Sequence, residues 1–248
     1  GIVKKIIFIT VILVLSISSM SLAADFEFDG GFLYTTFDSD NLNDGINGIN
    51  EGYQNILDSG EEGINYNLEN FDKMDDFDNA TGYWIGFKSD YFKNQLGLDY
   101  KIGISYEAFS NDIEANLHIS NPNGPEYLKL SDSLEVEVEG FVINGERTIN
   151  DYFGITGAIG YYYGEISFSE KKEEFDGTET DIYKNSGSND LDNDWGFKIG
   201  LSTDYPLSDN LNVIGNANYR WLELDIEDSN ESIDFDGWEL KAGLSYKF

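Results

Sequence analysis

The 248-residue chain contains no cysteine, and that absence excludes several kinds of protein. A disulfide framework, a thiolate metal site and a cysteine nucleophile all require this residue. Basic residues are scarce as well, because 15 Lys and Arg stand against 47 Asp and Glu for a net charge of −32. A nucleic-acid-binding protein needs a basic surface, so the sequence predicts no nucleic-acid partner. With only 3 Pro but 26 Gly and 15% aromatic residues, the composition favours an all-β protein over a disordered acidic chain.

Long hydrophobic runs are also missing, except at the start of the chain. Lys4 and Lys5 precede an apolar run from Ile6 to Ile17, and small residues precede a cleavage position after Ala23. This pattern predicts a signal peptide over residues 1–23, with residues 24–248 forming the exported domain. The alternative is an anchor that stays in the membrane. The run is shorter than the roughly 20 apolar residues that a spanning helix needs, so we favour cleavage.

The rest of the chain shows side-chain alternation with a period of two. Its clearest case is the last segment, where apolar residues from Trp238 to Phe248 occupy every second position and polar or small residues such as Lys241 lie between them. This period is typical of a β-strand with one apolar face. Eight such strands are predicted: Phe26–Phe37, Tyr83–Phe92, Leu96–Glu107, Leu134–Glu139, Tyr152–Tyr163, Trp195–Tyr205, Leu211–Trp221 and Trp238–Phe248.

Short and long connections alternate between these strands. The short ones are predicted at Lys93–Asn94, at Asn144–Asp151 with an Asn-Gly turn signal, and at Pro206–Asn210. The long ones, which carry 30 acids and 5 bases, are Asp38–Ala80, Phe109–Ser133, Ser169–Asp194 and Glu227–Asp236. Their like charges predict extended, mobile loops, although residues 113–130 also fit a hairpin of strand extensions. The pattern favours an antiparallel up-and-down transmembrane β-barrel with short periplasmic turns and long acidic extracellular loops.

Aromatic residues are predicted to form two levels that flank an aliphatic band. All four Trp, including Trp84, are assigned to the long-loop level, and residues such as Phe28 and Tyr205 to the opposite level. Aromatic residues are enriched at both membrane–water interfaces, so two such rings indicate a barrel that spans a membrane. The chain ends in Leu244-Ser-Tyr246-Lys-Phe248, which resembles the terminal strand signature of bacterial outer-membrane proteins.

The whole exported domain resembles the small eight-stranded outer-membrane β-barrels of the OmpA/OmpX type. The resemblance implies location in the cell outer membrane, contact with its lipid, and recognition of Leu244, Tyr246 and Phe248 by the barrel assembly machinery. A soluble barrel of lipocalin type would use the same alternation with the opposite facing. Glycine and charged residues occupy the same alternate positions of the strands. This combination suits a narrow lumen, where small residues leave room for long charged ones, and so it favours the membrane barrel over the soluble one. We therefore expect Leu240, Leu244, Ile199 and Ile102 to face lipid.

Charged residues of the polar phase are predicted to fill the lumen. Eight strands enclose an interior that side chains can occupy, and unpaired buried charges are costly. We therefore expect a network of ion pairs in place of a wide channel. Its predicted members are Lys101, Lys198, Arg220, Lys241, Glu135, Glu137, Glu139 and Glu239.

Residues that suggest catalysis or metal binding are few. His118 is the single histidine and falls on a predicted outer hairpin, so no catalytic group is assigned. Asp40, Asp44 and Glu51 nearly fit a calcium-binding loop, but Leu42 stands where such a loop needs Asp or Asn. The acidic loops suit cations in general, and adaptation to high salt explains the same charge. No cofactor is predicted.

Two classes of function remain open from the sequence. The first is a non-enzymatic outer-membrane barrel with a structural or surface-interaction role. The second is a narrow, porin-like ion channel or a lipid-modifying outer-membrane enzyme.

Overall fold

A computed structural model describes residues 26–37, 39–59, 67–90 and 100–248. The predicted signal peptide and the predicted turn at Lys93–Asn94 lie outside these residues. Within them, the elements in chain order are β1 (Phe26–Thr36), α1 (Asp40–Ser59), β2 (Asn67–Asp72), β3 (Asn79–Ser89), β4 (Tyr100–Ser120), β5 (Tyr127–Thr148), β6 (Phe153–Phe175), β7 (Thr180–Pro206), β8 (Leu211–Trp221), β9 (Glu223–Asp225), β10 (Ser232–Asp234) and β11 (Gly237–Lys247).

Eight of these strands close into a barrel in which every neighbour is antiparallel. The order around the ring is β1-β3-β4-β5-β6-β7-β8-β11, and the β4–β5 and β1–β11 pairings complete it. The predicted all-β, up-and-down barrel of eight strands is therefore confirmed. Closure matters because it leaves no unpaired strand edge in the barrel wall, as a membrane interior demands.

The barrel wall has an apolar exterior and a polar interior. In β11, Leu240 and Leu244 are about half exposed on the exterior, whereas Glu239 and Lys241 point inward and are buried. The same facing occurs around the ring. Its exposed apolar side chains include Phe28, Phe32, Ile85, Ile102, Ile104, Ile143, Ile155, Ile159, Phe197, Ile199, Leu201 and Val213. This surface suits a lipid environment, and it excludes the lipocalin-like alternative, which needs a polar exterior.

One short connection differs from the prediction. Asn144 and Gly145 lie inside β5, paired with β4 and β6, and do not form a turn. The turn comes a few residues later, where the Asn150 side chain accepts hydrogen bonds from the backbone N–H of Tyr152 and Phe153. The prediction was wrong because both neighbouring strands are long enough to pair with residues 144–147.

Strands β4 to β7 continue well beyond the barrel wall. We call this extension the arm, defined as β2 with residues 110–120, 127–139, 163–175 and 180–194. Pairing continues to the tips, where Ser120 faces Tyr127 and Phe175 faces Thr180. The predicted hairpin at residues 113–130 is present, whereas Ser169–Asp194, predicted as a loop, is mostly strand.

Part of the first long connection forms α1, over Asp40–Ser59. Apolar residues recur at helical spacing, and Ile46 and Tyr53 are buried against the inner face of the arm. Asn50 fastens the helix to the segment after β2 by accepting a hydrogen bond from Met74 N (2.9 Å) and donating one to Met74 O (3.0 Å). An extended loop was predicted from the acid count, but the acids of α1 lie on its exposed side. No helix in the described ranges combines the length and hydrophobicity needed to cross a membrane.

The polarity of the two faces reverses along β4, although the strand contains no irregularity in its pairing with β5. Within the barrel, Ser105 and Glu107 point inward and Ile104 outward. In the arm, Leu117 and Ile119 point inward, and Asp112 lies on the exposed side. The reversal marks the level at which the exterior medium changes from lipid to water.

Strand β5 shows the same reversal, which corrects a prediction. Val136 and Val138 are buried on the inner face, and Glu135, Glu137 and Glu139 lie on the outer face of the arm. The opposite facing was predicted, because the rule for a lipid-facing strand was applied to a segment that stands in water.

Aromatic side chains form a ring at the level of this reversal. Tyr106, Phe141, Tyr161 and Trp195 are neighbours in one row across β4 to β7, and the Tyr161 and Trp195 ring centroids are 5.2 Å apart. Trp221 and Trp238 are exposed at the same end of their strands. Trp84 does not belong to this ring, since its side chain points into the lumen and is buried. Three of the four tryptophans therefore follow the prediction.

Spin labels on single introduced cysteines test this boundary, because the chain has no native cysteine. Positions 104 and 112 lie on the same face of β4, eight residues apart. In lipid vesicles we expect a label at Ile104→Cys to respond to oxygen, which partitions into lipid, and a label at Asp112→Cys to respond to a water-soluble nickel complex. A label at the inward-facing Ser105→Cys serves as the shielded control. If the labels at positions 104 and 112 both responded mainly to oxygen, the assigned boundary between lipid and water would be wrong.

Candidate functional site: the closed lumen and the arm

Two carboxylates and three cations form a buried cluster in the upper half of the lumen. Lys198 contacts both Glu107 and Glu239, and Lys241 contacts Glu107 directly and Glu239 at 3.3 Å. These four side chains come from β4, β7 and β11, and each is at most 8% exposed. The inward phase of three different strands thus brings opposite charges to one level of the barrel.

Neutral groups add hydrogen bonds to both carboxylates of the cluster. Asn218 Nδ2 donates to Glu239 Oε1 at 3.1 Å, and Thr156 Oγ1 donates to Asn218 Oδ1 at 2.6 Å. Tyr162 OH donates to Glu107 Oε2 at 3.3 Å. Ion pairing and these hydrogen bonds offset the cost of burying the two carboxylates.

Arg220, the third cation, joins this cluster to the apolar layer above it. Its Nη1 lies 3.9 Å from Glu239 Oε2, while Nε and Nη2 donate to the carbonyl oxygen of Phe235 at 3.2 and 3.1 Å. Nη2 also donates to Thr35 Oγ1 at 3.0 Å, and the guanidinium lies 4.4 Å from the centre of the Phe109 ring. Arg220 therefore holds the segment between β10 and β11 over the lumen.

That segment belongs to an apolar layer that we call the roof: Phe37, Phe77, Phe109, Leu222, Leu224, Ile233 and Phe235. All seven residues are buried. The Phe37 ring contacts those of Phe77 and Phe235 at centroid distances of 5.0 and 5.4 Å. The roof separates the ion cluster from the solvent at the arm end of the barrel.

A second cluster lies in the lower half of the lumen. Lys88 Nζ is 2.9 Å from Asp29 and 3.3 Å from Glu146, and Lys101 Nζ is 2.9 Å from Glu27. Ser202 Oγ donates to Glu146 Oε1 at 2.9 Å. Side chains from β1, β3, β4, β5 and β7 thereby cross-link the wall at this level.

Between the two clusters lies a cavity of about 40 Å³. It is lined by Asp29, Trp84, Lys88, Glu107, Glu146 and Lys241 among others, and the buried Trp84 Nε1 has no hydrogen-bond partner in the described structure. A polar cavity of this size holds one or a few water molecules. The lumen is therefore filled by side chains, with space for isolated waters between them.

The predicted lumen residues separate into two groups. Lys101, Lys198, Arg220, Lys241 and Glu239 point inward and make the ion pairs given above. Glu135, Glu137 and Glu139 stay outside, and Glu139 accepts a hydrogen bond from Tyr163 OH at 2.7 Å on the outer face.

Glu146, which is buried in the lower cluster, was not predicted as a lumen residue. It was assigned to a turn. Val142 and Asn144 point inward, so the alternation along β5 also turns Glu146 inward, two residues further on. That alternation was the signal in the sequence that could have identified Glu146.

The three acidic residues that nearly fit a calcium-binding loop are not brought together around one point. Asp40, Asp44 and Glu51 all lie on α1, which replaces the loop that a calcium site of that type requires. A rise of about 1.5 Å per residue separates Asp44 from Glu51 by roughly two turns. In the described ranges, no group of three or more His, Cys, Asp or Glu side chains is arranged to hold a metal ion.

The terminal strand closes the barrel. Leu244, Tyr246 and Phe248 are exposed on the exterior, Tyr246 faces Phe28 of β1, and Phe248 N donates to Phe26 O at 3.0 Å. Recognition of Leu244, Tyr246 and Phe248 by the assembly machinery stays a prediction.

The solved structures to which this chain is similar include bacterial outer-membrane proteins. No protein-family model and no curated protein matches the sequence. Among solved structures, the attachment invasion locus protein Ail of Yersinia pestis is 13% identical, with 92% of this chain and 100% of that one covered and a TM-score of 0.40. The outer-membrane protein OprG of Pseudomonas aeruginosa is 17% identical over 91% and 96% of the two chains, with a TM-score of 0.42. A major outer-membrane protein of Thermus thermophilus is 11% identical over 92% and 100%, with a TM-score of 0.45.

The outer face of the arm carries carboxylates next to the aromatic ring. Asp112 lies opposite Glu135, and Glu137, Glu165 and Asp190 form one row across three strands. Partial burial and the neighbouring carboxylates of Glu137 and Asp112 raise the pKa of Glu135. Like charges directly opposite one another destabilise a sheet.

The tip of the same face is basic. Glu173 accepts a hydrogen bond from Tyr127 OH at 2.9 Å and pairs with Lys129 and Lys171 at 3.3 and 3.4 Å. The Tyr127 hydrogen bond and these lysines lower the pKa of Glu173. Serines 133, 167, 169, 186 and 188 separate the basic tip from the acidic base. The outer face of the arm is therefore dipolar along its length.

Replacement of Arg220 tests the link between the ion cluster and the roof. Arg220→Met keeps much of the side-chain volume, but it removes one of the three cations near Glu239 and leaves the Phe235 carbonyl without its donor. We expect a loss of about 3–5 kcal/mol in the free energy of unfolding, as is usual when one partner of a buried network is removed. Urea unfolding in lipid vesicles measures it, with Arg147→Met as the control because Arg147 is exposed at the opposite end of the barrel. Equal stability of the two variants would contradict the assigned role.

The carboxylate row gives a pH-dependent prediction. The pKa of Glu135 is raised in the folded protein, so its ionisation opposes folding and the arm gains stability as the pH falls toward that pKa. Glu137→Gln removes one repulsive neighbour and is expected to raise the unfolding midpoint at pH 7. The gain disappears near pH 4, where carboxyl groups protonate in the unfolded chain as well. Glu51→Gln on the exposed side of α1 is the control. An equal rise of the unfolding midpoint in both variants would show that repulsion within the carboxylate row is not the cause.

Proposed function

We propose that this protein is a non-enzymatic outer-membrane barrel that does not conduct solutes and that presents its arm outside the cell for interactions at the surface. The observation that carries the proposal is the closed lumen. Two layers of ion pairs and a roof of buried aromatic and aliphatic side chains fill most of the barrel, and a cavity of about 40 Å³ lies between the two layers. A barrel closed in this way supports the arm and offers no route for diffusion.

The arm supports the second half of the proposal. Its strands are among the longest in the described chain, with 27 residues in β7 and 23 in β6, and they exceed the roughly 9–11 residues that cross a bilayer. Its inner face is buried under α1, so it has a packed core of its own. Ordered surface of this extent beyond the membrane favours a role in contact with a partner over a role in transport.

The proposed location follows from the facing of the barrel. The signal peptide over residues 1–23 directs export to the periplasm, and Leu244, Tyr246 and Phe248 engage the assembly machinery before insertion. The apolar exterior then contacts outer-membrane lipid, with both ends of the barrel domain at the periplasmic side. Cations gather loosely at the acidic arm, where the charge density attracts them without a dedicated site.

The enzyme alternative receives less support from the geometry. The ring of His118 lies edge-on to that of Tyr127 at a centroid distance of 6.1 Å on the outer face of the arm. His118 stands far above the aromatic ring that marks the membrane surface, where a lipid-modifying residue would have to act.

Conductance in a planar lipid bilayer decides between the closed barrel and the narrow channel. We expect no stable current steps from the refolded full domain. The lumen variant Lys241→Ala and the arm variant Lys184→Ala form a matched pair, because a channel would change its conductance with the first only. Folding of each sample is checked by heat-modifiable gel mobility. Stable wild-type steps that change in Lys241→Ala would favour the channel and overturn the proposal.

A further inference from the structure

A hollow lies on the exterior of the barrel, one row above the aromatic ring. The row crosses four neighbouring strands, with each residue directly opposite the next: Tyr83, Ala108, Glu139 and Tyr163. All four side chains point outward. Side chains that are neighbours in such a row stand about 5 Å apart. Because Ala108 contributes only a methyl group, it leaves a gap between the larger side chains of Tyr83 and Glu139.

Aromatic rings form two walls of this hollow. Tyr106 lies one step below Ala108 on the same face of β4, and its ring centroid is 6.2 Å from that of Tyr83. The two rings are inclined at 48°, so they do not stack face to face. The Tyr83 side chain is half exposed, and part of its ring is therefore accessible from outside. The face of an aromatic ring is electronegative, so these walls suit a positively charged group.

Glu139 supplies a carboxylate at the remaining wall. Its Oε2 accepts a hydrogen bond from Tyr163 OH at 2.7 Å, and the hydroxyl of Tyr106 lies within hydrogen-bonding reach of the same carboxylate. No Lys, Arg or His among the described residues forms an ion pair with Glu139. A carboxylate accepts about four hydrogen bonds, so two hydroxyl groups leave it able to bind a cation.

The height of the hollow identifies the medium around it. Tyr106 belongs to the aromatic ring at which the exterior changes from lipid to water, and Glu139 lies one row higher. Aromatic rings of this kind lie at the level of the lipid head groups. Further down the same face of β4, Ile104 and Ile102 are exposed on the apolar exterior. A lipid whose chains lie against these two isoleucines brings its head group to the hollow.

A metal ion fits this hollow less well than an organic cation does. Calcium and magnesium take six or more oxygen ligands, whereas the walls of the hollow contribute one carboxylate. Within the ranges that the structure describes, no group of three or more His, Cys, Asp or Glu side chains is placed to hold a metal ion. Aromatic side chains around a cation are the usual means by which proteins recognise ammonium groups that carry methyl substituents.

We propose that this hollow binds the ammonium head group of a membrane lipid, with the positive charge against the Tyr83 and Tyr106 rings and beside the Glu139 carboxylate. The gap at Ala108 accommodates the substituents of the ammonium, and the acyl chains follow the exterior of β4 into the membrane. The bound head group supplies Glu139 with an opposite charge. The inference rests on the proposed location in a membrane and is independent of whether the lumen conducts.

Binding of single lipid molecules in detergent tests the head-group preference. The full domain is refolded in a maltoside detergent, and its folding is checked by heat-modifiable gel mobility. Phosphatidylcholine or phosphatidylglycerol with the same acyl chains is then added, and native mass spectrometry counts the bound lipids. We expect one site with a dissociation constant about tenfold lower for phosphatidylcholine, as one ammonium contact with a carboxylate and two rings implies. Equal dissociation constants for the two lipids would overturn the proposal.

A pair of charge variants separates this site from the overall negative charge of the protein. Glu139→Gln keeps the shape of the side chain and is expected to raise the dissociation constant of phosphatidylcholine to about that of phosphatidylglycerol. Glu165→Gln removes the same charge from the next row of the outer face and is expected to leave the preference unchanged. Equal losses of preference in the two variants would show that Glu139 has no specific role.

Two further variants test the shape of the hollow without a change of charge. Tyr83→Leu removes one aromatic wall, and Ala108→Met fills the gap. Each is expected to weaken phosphatidylcholine binding by roughly fivefold, which is the size of one exposed contact between a cation and a ring. Trp238→Leu removes an exposed aromatic ring at the same level of β11 and serves as the control. Wild-type affinity in both folded variants would refute the hollow as the binding site.

A soluble ammonium ion distinguishes a lipid from a dissolved ligand. Tetramethylammonium chloride has the same cationic group but no acyl chains. We expect it to leave phosphatidylcholine bound when both are present at the concentration at which the lipid saturates the site. Displacement under these conditions would show that the site recognises a dissolved cation and would overturn the assignment to a lipid. Failure of the refolded domain to enter lipid vesicles would contradict the proposed location itself, whereas equal binding of the two lipids contradicts this inference alone.

Discussion

Strict alternation of side chains along strands that pass from lipid into water is the constraint on which the rest of this structure depends. A residue of given parity points to the same side of the sheet throughout β4, whatever the medium. Where lipid surrounds the barrel, the apolar set must point outward, and the charged set is left to fill the lumen. Where water surrounds the arm, the apolar set must point inward. In β4 the sequence meets both demands by exchanging the two sets between Glu107 and Ile113 without a bulge, whereas the β6–β7 pairing has a register shift between Tyr162 and Gly164.

The charged lumen and the apolar roof are two consequences of this exchange. Below it, the inward positions carry Lys198, Lys241, Glu107 and Glu239, whose burial is tolerable only as a paired cluster. Above it, the inward positions carry Phe109 and its neighbours, which pack as an ordinary hydrophobic core. Arg220 sits where the two regions meet, with its charge near Glu239 and its guanidinium against Phe109. Closure of the barrel thus arises from the sequence of the strands themselves, together with the segments that cover their ends.

The arm gives the strongest contrast between what is covered and what is left open. Helix α1 covers the inner face of β4 and β5, and β2 covers the edge of β4. From Thr180 to Asn189, the β7 edge pairs with β6 only and has no such cover in the described structure.

The sequence by itself determined the barrel, because eight period-two segments with glycine and charge in one phase are compatible with few other arrangements. It also placed Lys101, Lys198, Arg220, Lys241 and Glu239 in the lumen, since these residues lie on the parts of their strands at the membrane level. Tertiary structure alone decided the rest. The facing of Glu135, Glu137 and Glu139 depends on the height at which β5 leaves the lipid, and local periodicity does not encode height. Likewise, the many acids around α1 suggested an extended loop. The helix becomes stable because the arm supplies the apolar surface against which Ile46 and Tyr53 are buried, and local sequence does not show that surface.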